Sequence, residues 1–538
     1  MTEQKYIIDV SRDLIAGETP LREFISERSA LLTRTFGDRY NFVGWYDGEH
    51  LPAQFVPMPA RTEIEPILQA LGRYGVRAFY GEWLTSGRPR GFLLNGGQLR
   101  QRLRAIAQEL RDEHGLTVLG EPTIDGEALA WAKATGLLAK HLCGRSNFRN
   151  VLFHYHNDGL PLLCNSCAAP TVFTIHDLPL NVSSPAETCA RLAAGRASVF
   201  TVGAGIDERE AATRFGRIPQ QTFVRGIHLD RFPVGTQLAA AYRRSRDALR
   251  DFALSFFAPH YRVPIGGSSC IAIRAPRDRK LLPVLARTLG QLQSRLRGSD
   301  RSAFVFLWIP GSHRGPDPAI RAARNLFRQT EPELDRVHGE LRSHLLHFLT
   351  HRRVPDVSAL LSGEALAGLR ATLRPAVRPG PAPLSTHLLP IDDPLPRLLR
   401  EAGLVNGAQD PVRVIYSPTP PALDDGLLHL TEHEVLRGCD LCVALGHGPA
   451  HRQTILETTA CGTPVVTLGE QVTIDGNMSV RVVSEAELSR TIEETVRARD
   501  EARAALRAAA HAFAAQSDWE RVVGSHLELY QKLFFEKC

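Results

Sequence analysis

The chain has 538 residues, a formal net charge of +6, and 43% hydrophobic and 23% charged residues. That length is too great for one hydrophobic core and predicts two domains of an ordinary globular protein. No apolar run reaches the ~20 residues of a membrane span, and the basic residues form no aromatic-studded stripe, so neither a membrane nor nucleic acid is expected as a partner.

The cysteines and the first residues indicate a cytoplasmic protein. Nine cysteines are an odd number spread over the length, which is typical of a reducing compartment. The amino terminus also lacks the apolar core of a signal peptide. Of two Cys-x-x-Cys pairs, Cys439/Cys442 begins an apolar strand and is expected to pack. Cys164/Cys167 has no partner pair at zinc-finger spacing, so a structural zinc is only a minor alternative.

The chain opens with the β–α–β pattern of a nucleotide-binding fold. The pattern predicts a strand at Tyr6 to Val10, a helix at Leu21 to Thr35 and a strand at Tyr40 to Trp45. Between the first strand and the helix, Gly17 to Pro20 makes a poor phosphate cradle because proline offers no backbone N–H. Further strands are predicted at 92–95, 116–120, 151–156, 171–176, 198–202 and 222–224.

Two of these strands carry histidines at their ends. His154 lies near the end of Val151 to His156, and His176 closes Thr171 to His176. The carboxyl ends of parallel strands meet at the ligand edge of a sheet, so these histidines are candidate site residues, and His176 could bind a sugar hydroxyl. A packed, hydrogen-bonded histidine remains the alternative at each position.

A glycine- and serine-rich stretch from Gly266 to Ser269 suggests a hinge before a second domain. A buried strand at Cys270 to Ile273 follows, and then RAPRDRK leads into a helix at 281–296. Arg274 and Lys280 thus lie between a strand end and a helix start, where two cations could hold a diphosphate. A solvated basic turn is the alternative.

The second half interrupts its alternating pattern with a helical insertion. Two long charged helices are predicted between 315 and 375. Such an insertion usually serves assembly or covers a face, and a solvated insertion is the alternative. Strands resume at 412–417, 441–445, 464–468 and 480–483, with helices at 485–512 and 519–537. The helix between the second and third of these strands carries Glu457, which could accept hydrogen bonds from a ribose or sugar. An ordinary β–α–β unit with a solvated Glu457 is the alternative.

Several stretches resemble the eukaryotic-type glycogen synthases, glycosyltransferase family 3, and occur in that family's order. They are TFGDRYNFVGWYDG (35–48), GEWLTSGRPRGFLLN (81–95), FHYHNDGLPLL (153–163), APTVFTIH (169–176), IAIRAPRDRK (271–280), STHLLPIDDPLPRLLREAGLVN (385–406) and LRGCDLCVALGHGPAHRQTILETTACGTPVVT (436–467). The resemblance implies an α/β chain of GT-B architecture, with two Rossmann-like domains facing a cleft.

The resemblance also implies how the domains divide. The first domain would be 1–262, the second 263–512 with its insertion at 315–375, and the terminal helix at 513–538 would pack back on the first. A homo-oligomer is implied as well. The implied reaction is a retaining transfer of glucose from UDP-glucose to an α-1,4-glucan. It would use a nucleotide sugar as substrate, with no metal and no cofactor.

Site residues are implied one at a time. Arg274 and Lys280 fall on the basic pair that binds the donor diphosphate and stabilises the leaving group. His176 falls on the active-site histidine, and His154 on the histidine of the Phe-His-Glu-Trp motif. Glu457 falls on the second acid of the Glu-x7-Glu motif, near the nucleotide ribose.

The chain departs from the family at several of these motifs. Pro449 replaces the first acid of Glu-x7-Glu, and Tyr155 and His156 replace the Glu and Trp after His154. The Lys-x-Gly-Gly loop is lost around Gly17 to Pro20, and Arg225 replaces the Asn of an Asn-Gly turn. The alternative to a slow or altered transferase is therefore a catalytically impaired protein that binds glycan or nucleotide, or scaffolds a partner. A dinucleotide-binding oxidoreductase is disfavoured because no G-x-G-x-x-G opens the first helix.

The arginines of 497–507 lie roughly where eukaryotic members of the family bind a sugar-phosphate activator. Here they are expected to form a solvated helix face instead, so that control is not predicted.

Overall fold

The computed structural model describes residues 5–12, 20–46, 50–85, 87–114, 126–145, 150–176, 185–203, 208–223, 226–233, 236–263, 268–352, 360, 362–363, 367, 380–446, 448–468 and 479–535. The chain divides into two compact units. The first comprises Met1–Leu229, His447–Gln453 and Gln516–Cys538, and the second comprises Asp230–Gly446 and Thr454–Ala515.

The first unit is built on a mostly parallel sheet with the order β3-β4-β5-β2-β1-β6-β7-β8-β9. β4 runs antiparallel to both β3 and β5, and every other neighbouring pair is parallel. The strands are β1 Lys5–Val10, β2 Tyr40–Trp45, β3 Phe55–Pro57, β4 Arg77–Trp83, β5 Arg90–Asn95, β6 Asn150–His156, β7 Thr171–Ile175, β8 Val199–Gly203 and β9 Gln221–Phe223. The helices of this unit before the chain leaves it are α1 Pro20–Phe36, α2 Glu65–Arg73, α3 Leu103–His114, α4 Gly126–Cys143, α5 Leu160–Leu163, α6 Pro185–Arg196 and α7 Glu208–Phe215.

The second unit contains a parallel sheet with the order β12-β11-β10-β13-β14-β15. Numbered within the unit, this is the order 3-2-1-4-5-6 of a doubly wound nucleotide-binding fold. The strands are β10 Ser268–Arg274, β11 Ser302–Trp308, β12 Val412–Ser417, β13 Leu441–Ala444, β14 Val465–Leu468 and β15 Val480–Val483. The helices are α8 Thr236–Phe257, α9 Leu281–Leu296, α10 Pro318–Thr350, α11 Pro394–Glu401, α12 Glu432–Gly438, α13 Gly448–Ala460 (in this unit from Thr454 onward), α14 Glu485–Arg497 and α15 Asp500–Ala514.

The last helix, α16 Trp519–Phe535, returns to the first unit and covers one face of its sheet with α1. Trp519, Val523 and Tyr530 of α16 join Ile25 and Leu32 of α1 in one buried apolar cluster. The opposite face of the sheet is covered by a second cluster that includes α4. Burying β1 on both faces explains its nearly continuous apolar sequence.

Three helices of the second unit begin at capping residues that can be recognised in the sequence. The Asp317 carboxylate accepts from the Ala319 N–H at 2.8 Å before Pro318, and Asp393 accepts from Leu395 N–H at 3.0 Å before Pro394. Thr431 and Glu434 form a reciprocal capping box that starts α12. These caps fix the positions of α10, α11 and α12, and α12 carries a residue of the site described below.

Parts of the fold differ from the sequence-based expectation. The units divide after Leu229, whereas the sequence placed the boundary between 262 and 263, because α8 packs on α12 and α10 of the second unit. The single helix expected at 485–512 is two helices, broken where Ala498 and Arg499 adopt extended backbone. The strand expected at 116–120 and most of the second insertion helix lie outside the described residues.

Among the helices described, none combines the length and the apolar character needed to cross a membrane.

Candidate active site

The second sheet reverses its strand order between β10 and β13, and Arg274 stands at that point. It is the last residue of β10 and pairs in register with Trp308 of β11 on one side and Ala444 of β13 on the other. In open parallel sheets, ligands bind outside the carboxyl ends of the strands where the order reverses. The expectation that Arg274 lies at such an end is met by the observed topology.

The Arg274 side chain is ion-paired with Glu432 of α12, with 2.8 Å between Nη2 and Oε1. The arginine side chain is 23% exposed and the glutamate 31%. The other terminal nitrogen, Nη1, is buried and makes no hydrogen bond among the described residues. A guanidinium with one nitrogen uncommitted can take an anion in the forked geometry that arginine prefers.

Lys280 is exposed at the start of α9, and its backbone N–H donates to Asp278 Oδ1 at 2.7 Å. The intervening Arg277 is not available in the same way. Its Nη2 is 2.9 Å from Asp393 Oδ2, and its Nη1 donates to Tyr416 Oη at 3.3 Å. Of the cations in RAPRDRK, Arg277 therefore ties the loop to the cap of α11, and Lys280 remains at the surface.

Glu457 lies in α13, the helix that follows β13, and is half-buried. The helix start includes Pro449, whose side chain is outside what the structure describes, as is the side chain of Arg452.

In the first unit, the sequence-predicted histidines belong to a buried polar cluster that we call the β1 cluster: Asp9, Arg28, Tyr40, His154, His156, His176, His526 and Tyr530. Asp9 is fully buried in β1, and its Oδ2 is bound by the Arg28 guanidinium and by Tyr40 Oη at 2.6 Å. Burial alone would raise the pKa of Asp9, but Arg28 and His156 outweigh it and hold that pKa well below its usual range.

His154 is fully buried, and both of its ring nitrogens face protein groups. Nδ1 lies 2.9 Å from Arg28 Nη2 and 2.6 Å from Tyr530 Oη, and Nε2 lies 2.6 Å from Thr174 Oγ1. Because Arg28 only donates, Nδ1 accepts and Nε2–H donates. This geometry suits a residue that joins β6 to β7 and to α16, and it presents no ring nitrogen towards a ligand.

His176 is half-buried just beyond β7, and its Nε2 lies 3.0 Å from His156 Nδ1. The two rings are stacked with centroids 5.2 Å apart. Burial, followed by the charges of His156 and Arg28, lowers the pKa of His176 well below its ordinary value. The ring is therefore neutral near neutral pH.

Asp9, His154 and His156 have ligand atoms within 4.8 Å of one another, the closest approach to a metal-ligand set among the described residues. Arg28, however, binds Asp9 and contacts His154 Nδ1. A buried guanidinium in that position repels a second cation, so we identify no metal site there.

The arginines of 497–507 are not simply the solvated helix face expected from the sequence. Arg503 and Arg507 are buried, and their guanidinium nitrogens lie 3.6 and 3.8 Å from the buried Asp440 Oδ1. Arg246 of α8 pairs with the same carboxylate. That expectation is wrong for these two residues because a buried carboxylate in the same unit requires compensating cations.

Sequence reasoning missed Asp9, Arg28 and Glu432. A signal existed for the first two: Asp9 interrupts an otherwise apolar buried strand, and Arg28 lies on the same helix stripe as Ile25 and Leu32. A charge in both places indicates a buried pair. Nothing in the local pattern marks Glu432 as the partner of Arg274.

The β1 cluster predicts an acid-labile first unit. Burial lowers the pKa of His154, His156, His176 and His526 below the ordinary value. Below about pH 6.5 the unfolded chain therefore binds protons that the folded chain excludes, and each histidine costs up to about 1.4 kcal/mol per pH unit until its folded pKa is reached. The depressed pKa of Asp9 adds a further loss below about pH 4.

Urea unfolding followed from about pH 7.5 to about pH 5.5 should show stability nearly constant above about pH 7 and falling below about pH 6.5. His526→Gln should reduce the slope by one proton's share, and the exposed His50→Gln should leave it unchanged. A pH-independent unfolding midpoint over this range would contradict neutral burial of these histidines.

The two units define the class of the protein. Each has a mainly parallel sheet with polar side chains at its carboxyl edge, and the second has the nucleotide-binding strand order, which together are the GT-B architecture of α/β glycosyltransferases.

The chain belongs to the glycogen synthase family: the model described as Glycogen synthase matches residues 187–524. It is 20% identical to glycogen [starch] synthase of Dictyostelium discoideum over 505 residues, which are 87% of this chain and 57% of that protein. It is 22% identical to the liver enzyme of Homo sapiens over 80% of this chain and 67% of that protein. The chain therefore spans little more than half the length of the first of these relatives.

Among solved structures, the catalytic domain of starch synthase IV from Arabidopsis thaliana, bound to ADP and acarbose, is 10% identical. It covers 98% of this chain and 99% of that one, with a TM-score of 0.44. A UDP-forming trehalose-phosphate synthase from Burkholderia xenovorans covers the same shares with 11% identity and a TM-score of 0.47.

Proposed function

We propose that this protein is a retaining glycosyltransferase that moves glucose from a nucleotide sugar, UDP-glucose by family resemblance, to an α-1,4-glucan. The observation that carries the proposal is Arg274. It ends the first strand of a 3-2-1-4-5-6 sheet at the order reversal, and its Nη1 makes no hydrogen bond among the described residues. Family membership supplies the reaction class.

In the proposed mechanism, Arg274 binds the donor diphosphate in a forked geometry and Lys280 adds a mobile point charge. Both stabilise the negative charge that develops on the leaving diphosphate as the glycosidic bond breaks. A front-side displacement by the glucan hydroxyl retains the configuration at the sugar. His176 accepts a hydrogen bond from the sugar, and Glu457 accepts one from the ribose.

His154 was expected to bind substrate, and its buried geometry supports a different assignment. Its ring is held by Arg28, Tyr530 and Thr174. We therefore assign His154 a structural role, in which it joins neighbouring elements of the first sheet and does not contact substrate.

Glu432 acts as a stand-in for substrate in the ligand-free protein. A carboxylate at 2.8 Å occupies one side of the guanidinium until a diphosphate displaces it. The Arg274–Glu432 ion pair competes with the nucleotide and so lowers nucleotide affinity. It also neutralises the half-buried guanidinium while no nucleotide is bound.

A catalytically impaired, nucleotide-binding protein is the second candidate, and Pro449 favours it. A proline cannot make the sugar contact that the family's carboxylate makes at that position. The two candidates share the diphosphate site and differ in turnover.

The test is a transfer assay with UDP-glucose, and ADP-glucose as the competing donor, in the presence of an α-1,4-glucan. Release of nucleoside diphosphate in step with glucan elongation supports the transferase. Nucleotide binding with no elongation above an Arg274→Ala control would reject it and leave the binding protein.

We further propose a homo-oligomer that uses α10. Five leucines of this helix are exposed in the single chain: Leu326, Leu334, Leu345, Leu346 and Leu349. Association would remove that apolar surface from water. Native mass spectrometry should show a multiple of the chain mass, and a monomer at micromolar concentration would contradict the proposal.

A further inference from the structure

Asp9, His156 and His176 lie next to one another at the carboxyl edge of the first sheet, with polar atoms facing each other in sequence. Asp9 lies in β1, His156 ends β6, and His176 follows β7. His156 Nε2 and Asp9 Oδ1 face each other at 3.6 Å, which is longer than a hydrogen bond, and neither atom has a hydrogen-bond partner among the described residues. His156 Nδ1 is 3.0 Å from His176 Nε2. Asp9 and His156 are essentially inaccessible to water.

The Asp9 carboxylate determines the direction in which these three groups donate their protons to one another. Asp9 Oδ2 already accepts from Arg28 and Tyr40, which leaves Oδ1 for His156. A negative carboxylate oxygen at 3.6 Å attracts an N–H and repels a lone pair, so the His156 proton sits on Nε2, facing it. His156 Nδ1 then carries the lone pair.

The tautomer of His176 follows from that of His156. Because His156 Nδ1 accepts, His176 Nε2 must carry a proton and donate it, and in a neutral ring this puts the His176 lone pair on Nδ1. A ligand hydroxyl that meets Nδ1 must therefore donate its hydrogen.

The position of the His176 ring is fixed by its backbone as well. The His176 N–H donates to Asn157 Oδ1 at 2.6 Å, and Asn157 itself turns through a left-handed backbone at φ 56°. A Cβ on Gly203 would lie 3.0 Å from His176 Cα and 3.3 Å from Nδ1, so the glycine leaves room beside the ring.

We propose that Asp9 and His156 are positioning residues that hold His176 neutral in the Nε2–H tautomer, so that it recognises a sugar hydroxyl as a hydrogen-bond donor. The identity of the ligand rests on the proposed function, and the tautomer does not. His156 replaces the tryptophan that the family resemblance implies at this position. An indole only donates, so this chain of three groups is a feature of the present sequence.

The variant Asp9→Asn tests the direction of proton donation along Asp9, His156 and His176. Arg28 and Tyr40 both donate, so they will select the asparagine oxygen and turn its NH2 group towards His156 Nε2. His156 must then carry its proton on Nδ1, and His176 must carry its proton on Nδ1 as well. Nitrogen-15 imidazole spectra of the ligand-free protein should therefore show the His176 proton on Nε2 in the native chain and on Nδ1 in Asp9→Asn.

Two further variants keep the test decisive if Asp9→Asn fails to fold. In His156→Gln, the amide can donate to Asp9 and accept from His176, so the Nε2–H tautomer should persist. In His156→Leu the link is cut, and a mixture of His176 tautomers is expected. The exposed Asp38→Asn is the matched control and should change nothing.

The proposal is overturned if His176 carries the same tautomer in the native chain, Asp9→Asn and His156→Leu, or is doubly protonated at neutral pH. If glucan transfer is measurable, Asp9→Asn should lower it by about a hundredfold or more, by analogy with a wrong-tautomer histidine, with His156→Gln partly restored. Native tautomers as predicted in a protein that transfers no sugar would reject the proposed function and leave this inference standing.

Discussion

Replacing Arg274 with alanine is expected to abolish most of the transfer activity and most of the affinity for nucleoside diphosphate. The guanidinium supplies charge-assisted hydrogen bonds at the point where the leaving group's charge develops. Losing such contacts costs about 2–4 kcal/mol, which is roughly two to three decades in kcat/KM. Initial rates with UDP-glucose and calorimetric titration with UDP measure the two effects separately.

Two variants show whether this effect belongs to the site. Arg297→Ala removes an exposed arginine from the far end of α9 and should leave both quantities unchanged. Glu432→Gln removes the competing carboxylate and should raise UDP affinity by up to about fivefold, the value of about 1 kcal/mol for a partly exposed pair. Equal losses in Arg274→Ala and Arg297→Ala would contradict the assignment of the diphosphate to Arg274.

Replacing Arg28 with leucine is expected to destabilise the first unit by about 3–5 kcal/mol, because it leaves the Asp9 carboxylate buried without its cation. Arg28 binds Asp9, contacts His154 Nδ1 at 2.9 Å and donates to Tyr530 Oη, so it joins α1 to β1, β6 and α16. Urea unfolding measures the loss. Arg34→Leu on the same helix is exposed and should stay within about 0.5 kcal/mol of the native chain.

The double variant Arg28→Leu with Asp9→Leu separates charge from packing. With neither charge present, no uncompensated carboxylate remains, and the double variant should be more stable than Arg28→Leu alone. A double variant less stable than the single one would show that the cost comes from lost packing and would contradict the electrostatic account.

The sequence predicted the second unit well because its elements are periodic and capped by readable residues. The bounds of α9, β12 and β15 agree with the predicted 281–296, 412–417 and 480–483. The antiparallel strands β3 and β4 were not predicted. Their sequences, FVP and RAFYGEW, carry no strong alternation, and they become strands because β4 pairs with β5 and β3 pairs with β4.

The candidate site was predictable only as far as strand ends could be located. Arg274 and His176 were found because a charge or histidine closed an apolar run. Glu432, which pairs with Arg274, and Asp9 and Arg28, which belong to the β1 cluster with His176, come from elements distant in sequence, and their positions depend on how those elements pack. Likewise, the composition of 497–507 predicted that Arg503 and Arg507 are solvated. They are buried because they compensate the buried carboxylate of Asp440, which immediately precedes β13.

A crystal structure of the protein with UDP bound tests the central claim most directly. The account predicts diphosphate oxygens within hydrogen-bonding distance of Arg274 Nη1 and Lys280 Nζ, with Glu432 displaced from the guanidinium. A nucleotide bound elsewhere, or a diphosphate held by other cations while the Arg274–Glu432 pair stays closed, would contradict it.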